Sequence, residues 1–302
     1  MIVIAGPTGS GKSDLALRLA LAIDGEIVNY DSVQIYRGFD IGSAKPSPEQ
    51  RARVPHHLFD IIDADADFNA ADFARIARDV IHDIDSRGKR AILVGGTFFY
   101  LRALLSGLPD MPGRDEALRA RIRNIAATPR GPARLHRWLS RVDPRSGAKI
   151  AVADRHRVER ALEVWITSGE PISNRERESV DEMPSLKLGL RIDRQRLGTI
   201  LDARVDAMFR KGLIEETRDL LARYPEETRP FGTIGYKEAA AVVRGAMNEK
   251  EAIAETRRRT RAYAKRQMTW LRADRNVHWL DGTDPDRTFE AALRLIREGH
   301  AA

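Results

Sequence analysis

The chain opens on a short apolar run, "IVIAG" at residues 2–6, and the pattern returns in "GEIVNYDS" at 25–32 and "KRAILVGGT" at 89–97. Each run lacks the alternation of a half-exposed strand, and each ends in glycine or a polar residue. Such runs predict strands buried on both faces. Between them the period lengthens to that of a helix, over Lys12–Ala22 and over Ala70–Ser86, the second stopping before Gly88. "LKLGLRID" at 186–193 and "VHWL" at 277–280 predict further strands. Buried strands alternating with helices define an α/β protein with a parallel sheet covered on both faces. From about 108 to 184 the strand pattern is absent. That stretch is helical in period, rich in arginine, and flanked by the turn-forming "GLPDMPG" and "DEMPS". The expected organisation is a core domain over residues 1–107 and 185–302, interrupted by an all-helical insert domain over 108–184.

The composition, 42% hydrophobic and 31% charged over 302 residues, is that of an ordinary globular protein. No apolar run approaches the roughly 18 residues of a membrane span. Met1 leads directly into a strand pattern without a basic-then-apolar leader, so no signal peptide is expected. There is no cysteine, which removes disulfides, thiolate zinc sites and cysteine nucleophiles together. A cytoplasmic, monomeric enzyme without a membrane partner is the expectation.

Charge sharpens this picture. The chain carries 51 Lys and Arg against 44 Asp and Glu, and the excess sits in two blocks. Residues 113–160 hold 13 basic and 5 acidic side chains, and residues 251–275 hold 8 and 3. Two basic blocks on a nearly balanced body point to a polyanion, most simply nucleic acid. Solvated, arginine-rich helix faces are the alternative. In the second block Arg258, Arg261, Lys265 and Arg272 share one helix face, at i, i+3, i+7 and i+14. That face suits a phosphate backbone, or else salt bridges to neighbouring elements. Met268 and Trp270 are expected in the core on the opposite side.

The candidate chemistry begins in the first turn of the chain. "GPTGSGKS" has the spacing of a phosphate-binding loop, between a predicted strand and a predicted helix. Gly6, Pro7, Thr8, Gly9, Ser10, Gly11, Lys12 and Ser13 would wrap backbone N–H groups around phosphate oxygens at the positive end of the helix. Lys12 can reach an outer phosphate, and the Ser13 hydroxyl suits Mg²⁺. This makes the predicted core a P-loop NTPase-like sheet flanked by helices. A nucleotide hydrolase would end a neighbouring strand in a metal-binding aspartate, but "AILV" ends in Gly95-Gly96-Thr97. The carboxylate stands instead at the end of the second strand, as Asp31, followed by Ser32 and Gln34. Strand C-terminal ends line the ligand crevice of an open parallel sheet, so Asp31 and Thr97 should face the same site. Asp31 could equally serve as a cap or turn residue.

Beyond the loop, "DSVQIYRGFDIGSAKP", "PHHLFDI", "FNAADFARIA", "LVGGTFFYLRALLSGL", "DRHRVERALEVWITSG", "TIGYKEA" and "AKRQMTWLR" follow in order, reaching nearly to Leu280. In this series of blocks the chain resembles the tRNA dimethylallyltransferases (tRNA isopentenyltransferases) of bacterial type. The resemblance implies transfer of the dimethylallyl group from dimethylallyl diphosphate to N6 of the adenosine at tRNA position 37, releasing diphosphate. It implies Asp31 as general base, with Lys12, Thr97 and Arg204 on the diphosphate and Mg²⁺ at Ser13. It places contacts to the tRNA anticodon stem-loop at Asp31, Ser32, Val33, Gln34 and Thr97, at Arg119, and at His156, Arg157, Val158, Glu159 and Arg160. Further contacts are implied at Gly232, Thr233, Ile234, Gly235, Tyr236 and Lys237, and the basic face of Arg258, Arg261 and Lys265 adds to them.

Three rivals share parts of this reading. An isopentenyltransferase acting on free adenine nucleotides needs the diphosphate half of the site but no basic insert. A P-loop kinase predicts ATP consumption and a nucleotide-base pocket. A non-catalytic RNA-binding protein has no use for Lys12, Asp31 and Thr97 together. The two basic blocks favour tRNA.

Overall fold

The computed structural model describes residues 1–175 and 182–299, and in it the five predicted strands and one further strand form a six-stranded sheet. β1 (Ile2–Ala5), β2 (Gly25–Asn29), β3 (His56–His57), β4 (Arg90–Val94), β5 (Leu186–Arg191) and β6 (Val277–Asp281) lie in the order β3-β2-β4-β1-β5-β6. Every neighbouring pair is parallel. The second strand is laid down two places from the first, and β5 and β6 build on the other side of β1. The loops after β1, β2 and β4 therefore leave at one edge, where a ligand crevice forms in such sheets. β3 has no counterpart in the sequence pattern. It is two half-buried histidines at the sheet's edge, too short and too polar to register as an apolar run.

The central strands are largely apolar because both faces are covered. Ile2 and Ile4 of β1, Ile92 and Val94 of β4, and Leu188 and Leu190 of β5 join one cluster. Leu15 and Leu19 of α1 (Lys12–Ala22) and Leu293 and Ile296 of α14 (Pro285–Glu298) complete it. The alternate residues Val3, Val28, Ala91 and Leu93 are no less buried, and α3 (Ala70–Ser86) packs on β2 and β4. The helix boundaries follow local chemistry. Asn69 Oδ1 accepts from the N–H groups of Ala71 and Asp72 at 2.8 and 3.2 Å, and Asp72 reaches back to the Asn69 N–H at 3.1 Å. This capping box, worth about 1 kcal/mol, fixes the start of α3.

The other helices are α2 (Pro48–Arg53), α4 (Phe98–Ser106), α5 (Glu116–Ala126), α6 (Gly131–Val142), α7 (Pro144–Lys149), α8 (Arg155–Ser168), α9 (Ile172–Arg175), α10 (Arg194–Arg210), α11 (Leu213–Leu221), α12 (Tyr236–Val243) and α13 (Glu249–Ala273). The chain forms two compact units. One is Met1–Leu105 with the described part of Met183–Ala302, and the other is the described part of Ser106–Glu182. The second unit is helical among its described residues and has its own core of Ile122, Leu135, Leu139, Ile150, Val158 and Leu162. Asp181 of the flanking "DEMPS" turn lies outside the described residues.

Candidate active site

The crevice at the strand ends is a cavity of about 550 Å³, and three loops of the sheet supply its polar wall. The loop after β1 contributes Thr8 to Ser13, the loop after β2 contributes Asp31 to Gln34, and the loop after β4 contributes Gly95 to Thr97. The first makes its tight turn through Gly11, at φ +83°, a left-handed conformation that L side chains rarely adopt. The third can lie against the second because Gly95 has no side chain: a Cβ there would sit 2.6 Å from the backbone carbon of Tyr30.

Three charges converge in this cavity: Lys12 at the start of α1, Asp31 beyond the end of β2, and Arg204 on α10. Leu197, Leu201 and Val205 turn one face of α10 inward, and Arg204 stands beside that face on the cavity wall. Lys12 Nζ donates to the carbonyl of Pro7 at 2.7 Å. Burial pushes the Lys12 ammonium down to about 7; the Arg204 charge adds to the shift, and Asp31 opposes it. Burial also raises the Asp31 carboxyl above the usual carboxylate range, against the pull of the Val33 and Gln34 N–H groups and of Lys12 and Arg204. Arg204 is lowered by the same desolvation, with Asp31 opposing. Asp31 and Arg204 keep some accessible surface, yet both lie deep among protein atoms, and that depth governs their hydration.

The two oxygens of Asp31 divide the roles open to it. Oδ1 accepts from Val33 N–H at 2.9 Å and Gln34 N–H at 3.4 Å, so it closes the turn after β2. Oδ2 has no hydrogen-bond donor among the described residues. Thr97 Oγ1 accepts from Ser32 N–H at 2.9 Å and donates to Ser32 Oγ at 3.0 Å, coupling the loops after β4 and β2. Arg204 likewise makes no hydrogen bond or salt bridge among the described residues.

Helix α13 supplies groups that carried no role in the sequence analysis. Gln267, 3% exposed, accepts from Thr8 N–H at 2.8 Å and donates to the Gly96 carbonyl at 2.9 Å. One side chain thus joins the phosphate loop to the loop that carries Thr97. Tyr263 donates to the same Gly96 carbonyl at 2.7 Å. Arg259 and Arg266 also line the cavity, Arg259 paired with buried Glu238. Leu17, Ile27, Phe59 and Val94, members of one apolar cluster, form a non-polar wall. His56 joins that wall with Nδ1 donating to the Val54 carbonyl at 2.8 Å. Of these, His56 and Phe59 sit inside the block "PHHLFDI" and Arg266 and Gln267 inside "AKRQMTWLR", whereas Tyr263 and Arg259 precede the latter block.

Several expected contact residues have other surroundings. Gly232, Thr233 and Ile234 line the cavity. Tyr236 is fully buried, its hydroxyl donating to Glu216 at 2.6 Å and accepting from Gly42 N–H at 3.1 Å. Gly235 is buried too, whereas Lys237 is exposed. Val158 is a core residue of the second unit, because α8 turns it inward together with Ala161 and Leu162. Neither Tyr236 nor Val158 can present its side chain to an external partner. Glu159 is paired with Arg123, Arg119 with Glu163, and Arg160 with Glu163, while His156 and Arg157 are exposed. Arg258, Arg261, Lys265 and Arg272 do share one exposed face of α13, but Arg258 pairs with Glu255 and Arg261 with Asp202. Trp270 is not core. It is 41% exposed and stacks on Phe98 with ring centroids 5.2 Å apart, because α4 offers it a flat apolar partner at the surface. Met268 is half-buried.

A hard cation fits the site in one way. Among the described residues no three His, Asp or Glu side chains are grouped to hold a metal. Ser13 presents a hydroxyl at the start of α1, on the cavity wall. Mg²⁺ characteristically takes one or two protein oxygens and completes its shell with phosphate oxygens and water, so this donor set fits Mg²⁺ arriving with a phosphate ligand.

Parallel sheet, phosphate loop and converging charges define a P-loop α/β protein whose crevice is built for a phosphate-bearing ligand beside one available carboxylate oxygen. The family model described as IPP transferase matches residues 34–274, and the chain belongs to that family. It is 48% identical over 285 residues to the tRNA dimethylallyltransferase of Geobacter sulfurreducens, spanning 93% of this chain and 91% of that one. With the tRNA dimethylallyltransferase of Solibacter usitatus the identity is 49% over 303 residues, 98% of each chain. Among solved structures, the full-length tRNA isopentenylpyrophosphate transferase of Bacillus halodurans superposes with a TM-score of 0.72 at 36% identity, over 98% of this chain and 95% of that one. A eukaryotic dimethylallyltransferase acting on tRNA gives a TM-score of 0.78 at 29% identity, over 94% and 74%.

Proposed function

We propose that this chain is a tRNA dimethylallyltransferase, moving the dimethylallyl group of dimethylallyl diphosphate onto N6 of adenosine 37 in the anticodon stem-loop. The observation that carries the reading is the free Oδ2 of Asp31, in one cavity with Lys12, Arg204 and an apolar wall. A prenyl donor needs a polar end for its diphosphate and an apolar end for its five carbons.

In the reaction the N6 lone pair forms a bond to C1 of the donor as the C1–O bond breaks, and the electron pair leaves with diphosphate. The N–H groups of residues 6–13, the Lys12 ammonium and the Arg204 guanidinium stabilise the charge that develops on the leaving oxygens. Thr97 would donate to the same group by turning its hydroxyl from Ser32 Oγ to the diphosphate. Mg²⁺ held at Ser13 would supply further neutralisation of the diphosphate. The amine of adenine is a weak base and a weaker acid, so its proton moves late, to Asp31 Oδ2, as positive charge builds on nitrogen. Desolvation raises the affinity of Asp31 for that proton, an effect that supports a general-base role worth about 10² to 10⁴ in rate. The base must first leave the anticodon-loop stack, at a cost of a few kcal/mol. Residues 108–184 serve as the tRNA-binding insert in this reading, and the enzyme acts in the cytoplasm. No helix among the described residues is long and apolar enough to cross a membrane.

The test is incubation with labelled dimethylallyl diphosphate and Mg²⁺, offering unmodified tRNA, AMP or no acceptor, with ATP as a separate control. Label is expected in tRNA and absent from AMP. Label in AMP alone would move the chain to the free-nucleotide enzymes, and phosphate release from ATP would restore the kinase reading. Asp31→Ala is expected to lower turnover by about 10² or more while tRNA still binds.

A further inference from the structure

The segment between β2 and α2 carries Gly42 to Lys45 onto the cavity wall, and side chains from distant helices hold it there. Ile41 N–H donates to the carboxylate of Glu216 on α11, at 2.9 and 3.1 Å from its two oxygens. Tyr236, at the start of α12, joins the same partners. Its hydroxyl donates to Glu216 Oε1 at 2.6 Å and accepts from Gly42 N–H at 3.1 Å. The approach is close, because a Cβ at Gly42 would stand 2.5 Å from the Tyr236 ring. That ring is itself set edge-on to Phe39, with centroids 4.8 Å apart. Lys45, its side chain 1% exposed, closes the turn by donating to Asp40 at 2.6 Å and to the Tyr36 carbonyl at 2.9 Å.

The turn passes this restraint back to the reacting end of the cavity. Gln34 Nε2 donates to the carbonyls of Ser43 and Ala44 at 3.0 and 3.3 Å. The N–H of the same Gln34 donates to Asp31 Oδ1 at 3.4 Å. Ala44 stands at φ +48°, a left-handed conformation that costs a residue with a side chain about 1–2 kcal/mol. A residue stays there only where its surroundings over-determine it, and the Gln34 amide on its carbonyl is one such restraint. Glu216 is half-buried and does not line the cavity. Its reach to Asp31 therefore runs entirely through the turn of residues 40–45 and Gln34.

We propose that Glu216 is a positioning residue for the prenyl transfer: by anchoring the turn that holds the Gln34 amide, it fixes where Asp31 presents Oδ2 to the acceptor amine. The proposal rests on the tRNA reading above and deepens its account of Asp31. Oδ2 keeps its direction only while Oδ1 is held, and Oδ1 is held by the N–H groups of Val33 and Gln34. The Gln34 bond is the longer of the two, so it is the one that fails first when Gln34 shifts. A general base must lie within hydrogen-bond reach of the proton it takes, and a misplacement of about 1 Å can cost about 10²-fold in rate. The phosphate loop is tied down elsewhere, by Gln267 between Thr8 and Gly96. Glu216 thus governs the proton-accepting side of the site and leaves the diphosphate side alone.

The test is Glu216→Gln in the full chain, with its melting curve checked against wild type. The amide is nearly isosteric but has one acceptor oxygen where the network uses two. The kcat at saturating tRNA is expected to fall about tenfold or more, while the KM for dimethylallyl diphosphate stays within about twofold. A cycle with Gln34→Leu separates positioning from general loosening. With the Gln34 amide gone, Glu216→Gln should cost less than about a further twofold in kcat, since two steps of one relay do not add. Additive losses overturn the proposal, as does a Glu216→Gln kcat within about twofold of wild type or a donor KM that rises as much as kcat falls. Amide exchange gives a readout that needs no reaction: the Val33 and Gln34 N–H groups should exchange faster in Glu216→Gln, by up to about tenfold, and the Thr8 N–H should not. Unchanged exchange at Gln34 overturns the relay. Tyr236→Phe, which keeps the ring beside Phe39 and removes only the hydroxyl, carries the same cycle and the same exchange measurement if Glu216→Gln does not fold. A wild-type chain that leaves tRNA unlabelled sinks the functional reading by itself, and the exchange at Gln34 then decides the relay alone.

Discussion

Lys12, Asp31 and Arg204 form a set in which no charge is fully neutralised by the protein. Burial disfavours each charged form, opposed by the attraction of Asp31 to Lys12 and Arg204 and, at Asp31, by the Val33 and Gln34 N–H groups. The site is thus bought with stability, and the sign of the loss is definite for Lys12. Its ammonium titrates near 7 in the folded chain and near 10.5 when unfolded. Between those values folding releases a proton, so the cost of holding Lys12 grows as pH falls through the window and is complete below about 7. Lys12→Met is expected to raise Tm at pH 7, with the gain shrinking toward nothing near pH 10.5, while activity is lost. Thermal melts across that range check it, and a gain that grows with pH would contradict the burial of a charged lysine. At this scale the sequence was informative. The loop spacing identified Lys12 from chemistry alone, and Asp31 followed from its place at a strand end. The sequence left Asp31 with two readings, a turn residue or an active carboxylate. In the structure Oδ1 makes the turn while Oδ2 stays free.

Helix α13 shows how much an element can hide. Its 25 residues read as a basic surface helix, and one face is that. Another face carries Gln267 and Tyr263 into the crevice, where they tie the β1 and β4 loops together. Such a role has no period and no motif of its own. It depends on where α13 lies against loops more than 160 residues away in sequence. Gln267→Leu would orphan the Thr8 N–H and remove one donor from the Gly96 carbonyl. We expect a stability loss of about 1–3 kcal/mol for the buried unpaired group, and a rise in the KM for dimethylallyl diphosphate of about tenfold or more. The tRNA Kd should change less than about twofold. Denaturant unfolding and steady-state kinetics measure both, and an unaltered donor KM would show that the clamp does not position the phosphate loop.

For the molecule as a whole, the two units have separate hydrophobic cores, one around the sheet and one among the helices of the second unit. Leu139, at 0% exposure, is central to the smaller core. Leu139→Ala is expected to cost about 2–5 kcal/mol in that core. Amide exchange should accelerate across residues 106–175 while the strands of the sheet keep their protection. Equal acceleration in both would mean that the units unfold together. The turn-forming segments that flank the strand-poor stretch were visible in the sequence. The division of its charge into paired and unpaired cations was not, since pairing depends on which carboxylates other helices bring within reach.

The sequence by itself determined the parallel α/β sheet, the phosphate loop and the helical character of the stretch that interrupts the sheet. Those features follow from apolar runs, local spacing and turn residues, interactions that act over a few positions along the chain. The tertiary structure decided which groups those features meet. It placed Gln267 between two loops, put Trp270 at the surface on Phe98, buried Tyr236 and Val158, and gave Arg119 a partner, while among the described residues it left one oxygen of Asp31 without a donor and Arg137 without an ion pair. Each of these depends on contacts between residues far apart in the chain, where desolvation and pairing are set by neighbours that no local pattern encodes.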